Sequence, residues 1–226
     1  MYYVDVTIDG WSEMVTGGSN AIRDFVKDKM DNGRETMSDN LNKGMLTGGE
    51  GYDIDGLKAI CDDGTNYATY GNITRSTDVW AKAQLDSTGG AYTNSMFQSM
   101  YGECSLNNQH PDMIITTQAV YNSVWNKMTP QQRYAQNDNN ADLRALGFSG
   151  LEFNQAIIIV EDACPTGVAF FLNTNYLEFI VHRDRNMAWQ DFMTHIDEDA
   201  KTGRFMWAGN LAAKAPRYFG QIQNIT

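Results

Sequence analysis

The sequence predicts an α+β fold, and three observations carry that prediction. The stretch "SNAIRDFVKDKMDNGRETMSDNLNKGML" holds an apolar stripe over about seven helical turns, while the chain around it reads as short β-patterned runs. In the middle, "DMIITT" is followed directly by "QAVYNSVWNKM", a strand and then a helix, as in a mixed sheet covered by helices. The C-terminal third is a series of apolar runs separated by turn residues.

The first element is the strand "YYVDVTI", with Val4, Val6 and Ile8 on one face and Tyr3, Asp5 and Thr7 on the other. A strand needs a partner, either far downstream or in a preceding stretch, and a preceding piece of a longer chain is the expectation taken here. In the long helix Ile22, Val26, Met30, Met37 and Leu41 repeat at steps of three and four, with Phe25 beside them and Gly33 at a position of close approach. At 1.5 Å per residue this helix is about 40 Å long. Ser19 or Asn20 is expected to cap it, and Gly44 or Gly48-Gly49 to end it. Asp24, Lys27, Asp28, Lys29, Asp31, Arg34 and Glu35 form its wet side.

Next, "GNITRSTDVWAKAQ" and "GGAYTNSMFQSMYGECSLNNQ" carry apolar residues at helical spacing, and Met96, Phe97, Met100 and Tyr101 read as core rather than as a cofactor box. His110-Pro111 breaks the chain before "DMIITT", and Val120, Val124 and Met128 line the following helix up to Pro130. The polar segment "PQQRYAQNDNNADLRALGFSG" is a loop or short helix. "LEFNQAIIIVEDACPTGVAFFLNTNYLEFIVHRD" reads as three strands, antiparallel neighbours joined by a Pro-Thr-Gly and an Asn-Thr-Asn turn. "GRFMWAGNLAAKAPRYFGQIQNI" adds two more, with Ala212 to Pro216 as the bend. No internal repeat or interdomain linker interrupts this order.

At 226 residues the chain can bury roughly 70% of its unfolded surface, and 42% hydrophobic residues supply a real core. The formal net charge of -11 repels phosphate, which excludes the basic footprint of a nucleic-acid-binding protein. Cys61, Cys104 and Cys164 are far apart, odd in number and outside any CxxC pair, as free thiols are. No run approaches eighteen apolar residues, and the first residues lack the basic and apolar regions of a signal peptide.

Motifs for chemistry are weak. "GFSGL" places the second glycine directly after Ser149, which is the wrong spacing for a nucleophile elbow. Cys164 with His182 would need the thiol's pKa depressed, and a turn offers no helix N-terminus to do so. Of the histidines His110, His182 and His195, none forms an i, i+4 pair, and "DIDG" at Asp53 to Gly56 is too short for a calcium loop. "TGGSN" precedes a helix but lacks the lysine of a P-loop. Glu161-Asp162 with Glu178 is a carboxylate set of the kind expected by chance among 28 acidic residues. No catalytic, cofactor-binding or metal-binding residue is assigned, and no cofactor is expected.

Taken in order, "GGSNAIRDFVKDKMDNGRETMSDNLNKGML", "DIDGLKAI", "YGNITRSTDVW", "HPDMIITTQAVY", "LEFNQAIIIVEDACPTGVAFFLNTNYLEF" and "WAGNLAAKAPRYFGQI" resemble the major capsid protein of tailed bacteriophages, the family with the Hong Kong 97-like fold. The resemblance spans nearly the whole chain. It implies a peripheral domain with a long spine helix (Ser19 to Leu46) beside a thin sheet, and an axial domain of mixed sheet flanked by helices. The implied divisions are residues 1–16, a strand of the extended loop; 17–73, the peripheral domain with its spine; 74–184, the axial domain; and 185–226, C-terminal strands returning to the peripheral or axial sheet. Tyr2 to Ile8 looks like the descending half of the family's extended loop, whose N-terminal arm and ascending strand have no counterpart here. No residue is carried over for the covalent cross-link that some members form.

The implied function is structural, without enzymatic activity: a shell subunit made in the host bacterial cytoplasm and incorporated into the virion, an icosahedral head enclosing double-stranded DNA. The implied partners are copies of itself in pentamers and hexamers, with scaffold, portal and decoration proteins beside them, packaged DNA in weak contact only, and no membrane. Gln131 to Asn140 is expected to touch neighbours around an axis. Two other readings are an encapsulin-like nanocompartment shell, told apart by a protein cargo, and a small cytoplasmic hydrolase built on Cys164 or a carboxylate pair. A tail or decoration protein is a further virion reading, which the long helix disfavours.

Overall fold

The computed structural model describes residues 1–16, 19–48, 51, 53–128, 151–194 and 196–226. Strand β1 (Tyr2–Asp9) alternates as predicted, burying Val6 and Ile8. Its last residue, Asp9, accepts a hydrogen bond from the Ser12 backbone N–H at 3.2 Å and so caps the short helix α1 (Gly10–Val15). The long helix α2 (Ser19–Thr47) has 29 residues. Gly44 does not end it, because the helix runs three residues further and the Gly48 N–H donates to the Gly44 carbonyl at 2.9 Å. The glycine serves packing instead: a Cβ there would lie 2.2 Å from the Tyr2 Oη.

Gly33 does the same further along, where a Cβ would meet Val6 Cγ2 at 2.6 Å and the Phe205 ring at 3.2 Å. At about 3.6 residues per turn the two glycines lie roughly three turns apart and face the same way, so the helix backbone rests directly on the first strand. Gly33→Ala is therefore expected to destabilise the fold despite alanine's better helix propensity. Overpacking costs about 1–3 kcal/mol against a propensity gain of about 1 kcal/mol. A fall in the urea midpoint at unchanged m-value is the expected reading; an unchanged or raised midpoint would show that Val6 yields freely.

After α3 (Leu57–Ile60) the chain forms a hairpin, β2 (Thr69–Tyr70) and β3 (Ile73–Thr74), a 3₁₀ turn at Val79–Ala81, and β4 (Gln84–Asp86). The helix expected over "GNITRSTDVWAKAQ" is therefore absent. Gly71 and Asn72 both have positive φ, 55° and 65°, the geometry of a tight hairpin turn, and that local preference overrides the apolar spacing. The next helical expectation holds, in α4 (Asn94–Cys104), as do the strand β5 (Met113–Thr116) and helix α5 (Gln118–Met128).

Four strands, not three, follow: β6 (Leu151–Phe153), β7 (Ala156–Val160), β8 (Ala169–Leu172) and β9 (Leu177–Val181). The extra break is Asn154-Gln155, a positive-φ turn that splits "LEFNQAIIIV" into a hairpin. The chain ends with β10 (Ala188–Thr194), β11 (Ala200–Trp207), β12 (Gly209–Ala213) and β13 (Gly220–Ile222). Two strands were expected over "GRFMWAGNLAAKAPRYFGQIQNI"; Ala208 interrupts the run and makes three.

A six-stranded mixed sheet has the order β4-β13-β8-β5-β7-β6. The expected antiparallel pairing of β7 with β8 is overturned: β5 lies between them, parallel to β7 and antiparallel to β8. The connection from Glu161 to Val168 is long enough to step over a strand, whereas β9 leaves this sheet and pairs with β12. A second sheet has the order β1-β11-β10, and all eight residues of β1 pair, from Tyr2↔Trp207 to Asp9↔Ala200. A partner for the first strand is thus supplied far downstream, by β11.

Two cores form. Phe170 and Leu172 of β8 face one, with Met37 and Leu46 of the long helix, Ile54, Leu57, Val6, Phe205 and Trp207. Ala169 and Phe171 face the other, with Phe97 and Met100 of α4, Val120 and Val124 of α5, and Ile114 and Ile158. The strand buried on both sides is why "AFFL" is continuously apolar.

Candidate functional site

Among the described residues, the groups weighed for chemistry in the sequence are each held in separate local contacts. Cys164 is buried, its Sγ 3.7 Å from the Val168 carbonyl oxygen, and burial pushes its thiol up to about 12. Cys104 rises to about 12 for the same reason, and Cys61, fully buried, is raised well above its usual value. His182 serves a local role, its Nδ1 accepting from the Asp184 backbone N–H at 3.2 Å. Glu161 accepts from Asn42 Nδ2 at 2.9 Å, Glu178 pairs with Lys214, and Asp162 is exposed. Asp55 is paired with Asn210 through its backbone N–H and its carboxylate, both at 2.7 Å. Among the described residues no three His, Cys, Asp or Glu side chains stand together as a metal site. Ser149, His195, Gly17-Gly18 and the 131–140 segment lie outside the described residues.

The raised thiols have a pH consequence with a definite sign. An unfolded thiol ionises near 9 and the buried ones near 12, so between those values the unfolded chain binds fewer protons. Stability is therefore full below about pH 9 and falls as pH rises through that window. In the native protein, thiol labelling at pH 8 is expected to proceed only at the rate of unfolding. Rapid labelling of any of the three would contradict their burial.

A buried polar knot was not visible in the sequence. Arg75 is fully buried, and its Nη2 donates to the Ala59 and Ile60 carbonyls at 2.7 and 3.2 Å, closing the C-terminal end of α3. Nε donates to the Ala81 carbonyl and Nη1 to that of Tyr67, each at 3.1 Å, with Asp62 Oδ2 3.5 Å away. Asp62, also fully buried, accepts from the Gly64 and Tyr67 backbone N–H groups at 2.8 and 3.0 Å and from Asn66 Nδ2 at 2.8 Å. This knot gives the segment from Asp62 to Ala81 a fixed shape, with both its ends anchored in the first core through Cys61 and Ala83 and with Val79 and Trp80 exposed to solvent.

The surface feature with the clearest capacity for contact is the far end of the three-stranded sheet. There Trp11 and Met14 are 70% and 74% exposed, Val15 is exposed beside them, Met193 projects from the end of β10, and Ile196 projects from the connection between β10 and β11. Helix α1 is fixed to that connection by a hydrogen bond from the Gly10 N–H to the Asp199 carbonyl at 2.7 Å, and Lys201 pairs with Glu13 at 2.8 Å. Behind it, Ile8, Ile22, Phe25, Val26 and Phe192 line a cleft of about 190 Å³. Phe179 and Ile180 of β9 make a second exposed apolar pair. Clusters of this kind mark contact surfaces on proteins that associate. The signal available in the sequence was a Trp and a Met in a short helix with no helical partner face.

No protein-family model matches the sequence, and no curated protein does. Solved structures match over the whole chain. The cyanophage A-1(L) capsid asymmetric unit aligns with 100% of this chain and 77% of its own, at 16% identity and a TM-score of 0.73. A holo encapsulin complex from Synechococcus elongatus aligns with 99% of this chain and 73% of its own, at 11% identity and a TM-score of 0.68. The capsid of a native GTA particle aligns with 100% of this chain and 72% of its own, at 6% identity and a TM-score of 0.65.

Proposed function

We propose that this chain, which has the Hong Kong 97-like capsid fold, is the major capsid protein of a tailed bacteriophage and assembles with copies of itself into a closed head around double-stranded DNA. The observation that carries the reading is the superposition of the entire chain, helix and sheets together, on subunits of closed shells. The geometry supports it. A plate with a rigid spine, two back-to-back cores and exposed apolar patches at its far end is suited to repeated lateral contact. The net charge of -11 keeps free subunits apart in solution and leaves enclosed DNA only weakly held.

On this reading residues 17–73 with the spine form the peripheral domain, residues 74–184 most of the axial domain, and residues 185–226 contribute strands to both sheets. Tyr2 to Ile8 serves as the descending strand of the extended loop. The role is structural, the destination is the virion, and scaffold, portal and decoration proteins are the further partners that this reading proposes.

Electron microscopy of the expressed full-length protein tests the proposal: uniform closed shells support it, and a compact monomer at every concentration sinks it. The encapsulin likeness favours a second reading, a nanocompartment, which a co-purifying cargo protein in place of DNA would select. Met14→Glu places a charge in the exposed apolar end without touching either core. It is expected to abolish shells in electron micrographs while the unfolding midpoint of the free subunit moves by less than about 0.5 kcal/mol equivalent. Normal shells from this variant would remove the far end of the sheet from the contact surface.

A further inference from the structure

Gln221 of β13 is fully buried, and neither its amide oxygen nor its amide nitrogen has a hydrogen-bond partner. Buried side-chain amides are nearly always paired, so such a group calls for a reason. Its direction is fixed by the strand. Gly220 packs against Met100 and Cys104 of α4, and Ile222 joins the same core, so Gln221 projects to the opposite face beside its cross-strand neighbour Phe170.

On that face lies a cleft of about 200 Å³ lined by Lys58 of α3, Thr166, Val168, Phe170, Gln221 and Gln223, among others. Lys58 is its only charged residue, is half-buried, and is in no ion pair among the described residues. The volume is below the roughly 300–1,000 Å³ of cofactor-sized pockets, which sets the occupant at about one residue.

We propose that this cleft binds the carboxylate end of an N-acylated amino acid, the group that also forms the carboxy terminus of a peptide. Two unmet hydrogen-bonding atoms and one cation define it. The Gln221 Oε1 needs an N–H donor and the Gln221 Nε2 an acceptor, while the half-buried Lys58 ammonium offers its charge to an anion. An acyl amino acid presents an amide N–H and a carboxylate one carbon apart, and Val168 and Phe170 supply an apolar wall for its side chain. The inference does not depend on the shell reading.

Titration calorimetry on the full chain tests it with three probes: N-acetyl-L-alanine, its methylamide, which lacks the carboxylate, and tetra-alanine with a free carboxy terminus. Saturable binding of the first or third is expected. The methylamide and the Lys58→Met variant are each expected to bind about tenfold more weakly, the equivalent of about 1.4 kcal/mol. Gln221→Leu is expected to abolish binding while raising the unfolding midpoint, since an unpaired buried amide is removed. Tighter binding of tetra-alanine assigns the cleft to a protein chain end, and tighter binding of N-acetylalanine assigns it to a free metabolite; both support the proposal. No saturable binding of either carboxylate, or binding unchanged in both variants, overturns it and leaves the cleft to water.

Discussion

Arg75→Met is expected to lower the stability of the protein by about 3–5 kcal/mol, the cost of removing one partner from a buried ion pair. The size follows from what is left behind. The Asp62 carboxylate keeps its three strongest donors but loses its cation, and the carbonyls of Ala59, Ile60, Tyr67 and Ala81 lose theirs at once. None can turn to water without opening the knot, because Arg75 and Asp62 are both fully buried. In a chain of this length the shift in thermal midpoint is roughly 2–4 °C per kcal/mol. Urea unfolding of the protein measures it directly. Arg75→Lys is expected to recover little, since one ammonium cannot reach groups that the planar fork reaches in several directions. The double variant with Asp62→Asn should be more stable than Arg75→Met alone, because the unpaired charge is gone. A loss below about 1 kcal/mol would show that the knot is solvated in solution.

Phe97→Ala is expected to cost about 3–5 kcal/mol in the other core. Phe97 is fully buried and meets three rings edge-on, Tyr92 at 4.9 Å, Phe171 at 5.1 Å and Phe153 at 5.7 Å. Those rings come from the loop before α4, from β8 and from β6, so the truncation loosens a helix and both halves of the six-stranded sheet together. Part of the effect beyond burial comes from the edge-to-face geometry, about 0.5–1.5 kcal/mol per pair. Phe97→Leu keeps much of the volume and loses the ring contacts, so it should fall between alanine and the native residue. Equal stability of the leucine and native proteins would assign the whole effect to volume.

The long helix, the first strand, "DMIITT" with its following helix, and α4 were legible because each carries its own periodicity. Gly33 was read correctly as a place of close approach, while Gly44 was read as a stop because a glycine late in a helix usually is one. Only the downstream strand bringing Tyr2 into register reveals its other purpose. Strand order was not legible. Nothing local distinguishes β7 next to β8 from β7 with β5 inserted between them, because the choice is made by helices packing on both faces of the sheet. The knot was hidden for a similar reason: Arg75 sits in a polar run and looks solvent-facing until α3 and the 3₁₀ turn close over it. Gln221 looked like an ordinary polar residue in a closing strand. The apolar end of the sheet was not legible, since the residues that gather beside Trp11 and Met14 come from nearly two hundred positions later.

The pairing of β1 with β11 and the insertion of β13 between β4 and β8 also set a clock. During synthesis β1 waits for β11 until about residue 207 appears, and the larger sheet keeps a gap until residue 222 follows. Helices can form early, but the plate cannot close while synthesis is under way. Ribosome-bound chains stopped before Gly220 should accordingly be cut readily by protease, and chains released at full length should resist. Such timing leaves both sheets incomplete until nearly the last of the 226 residues has been made.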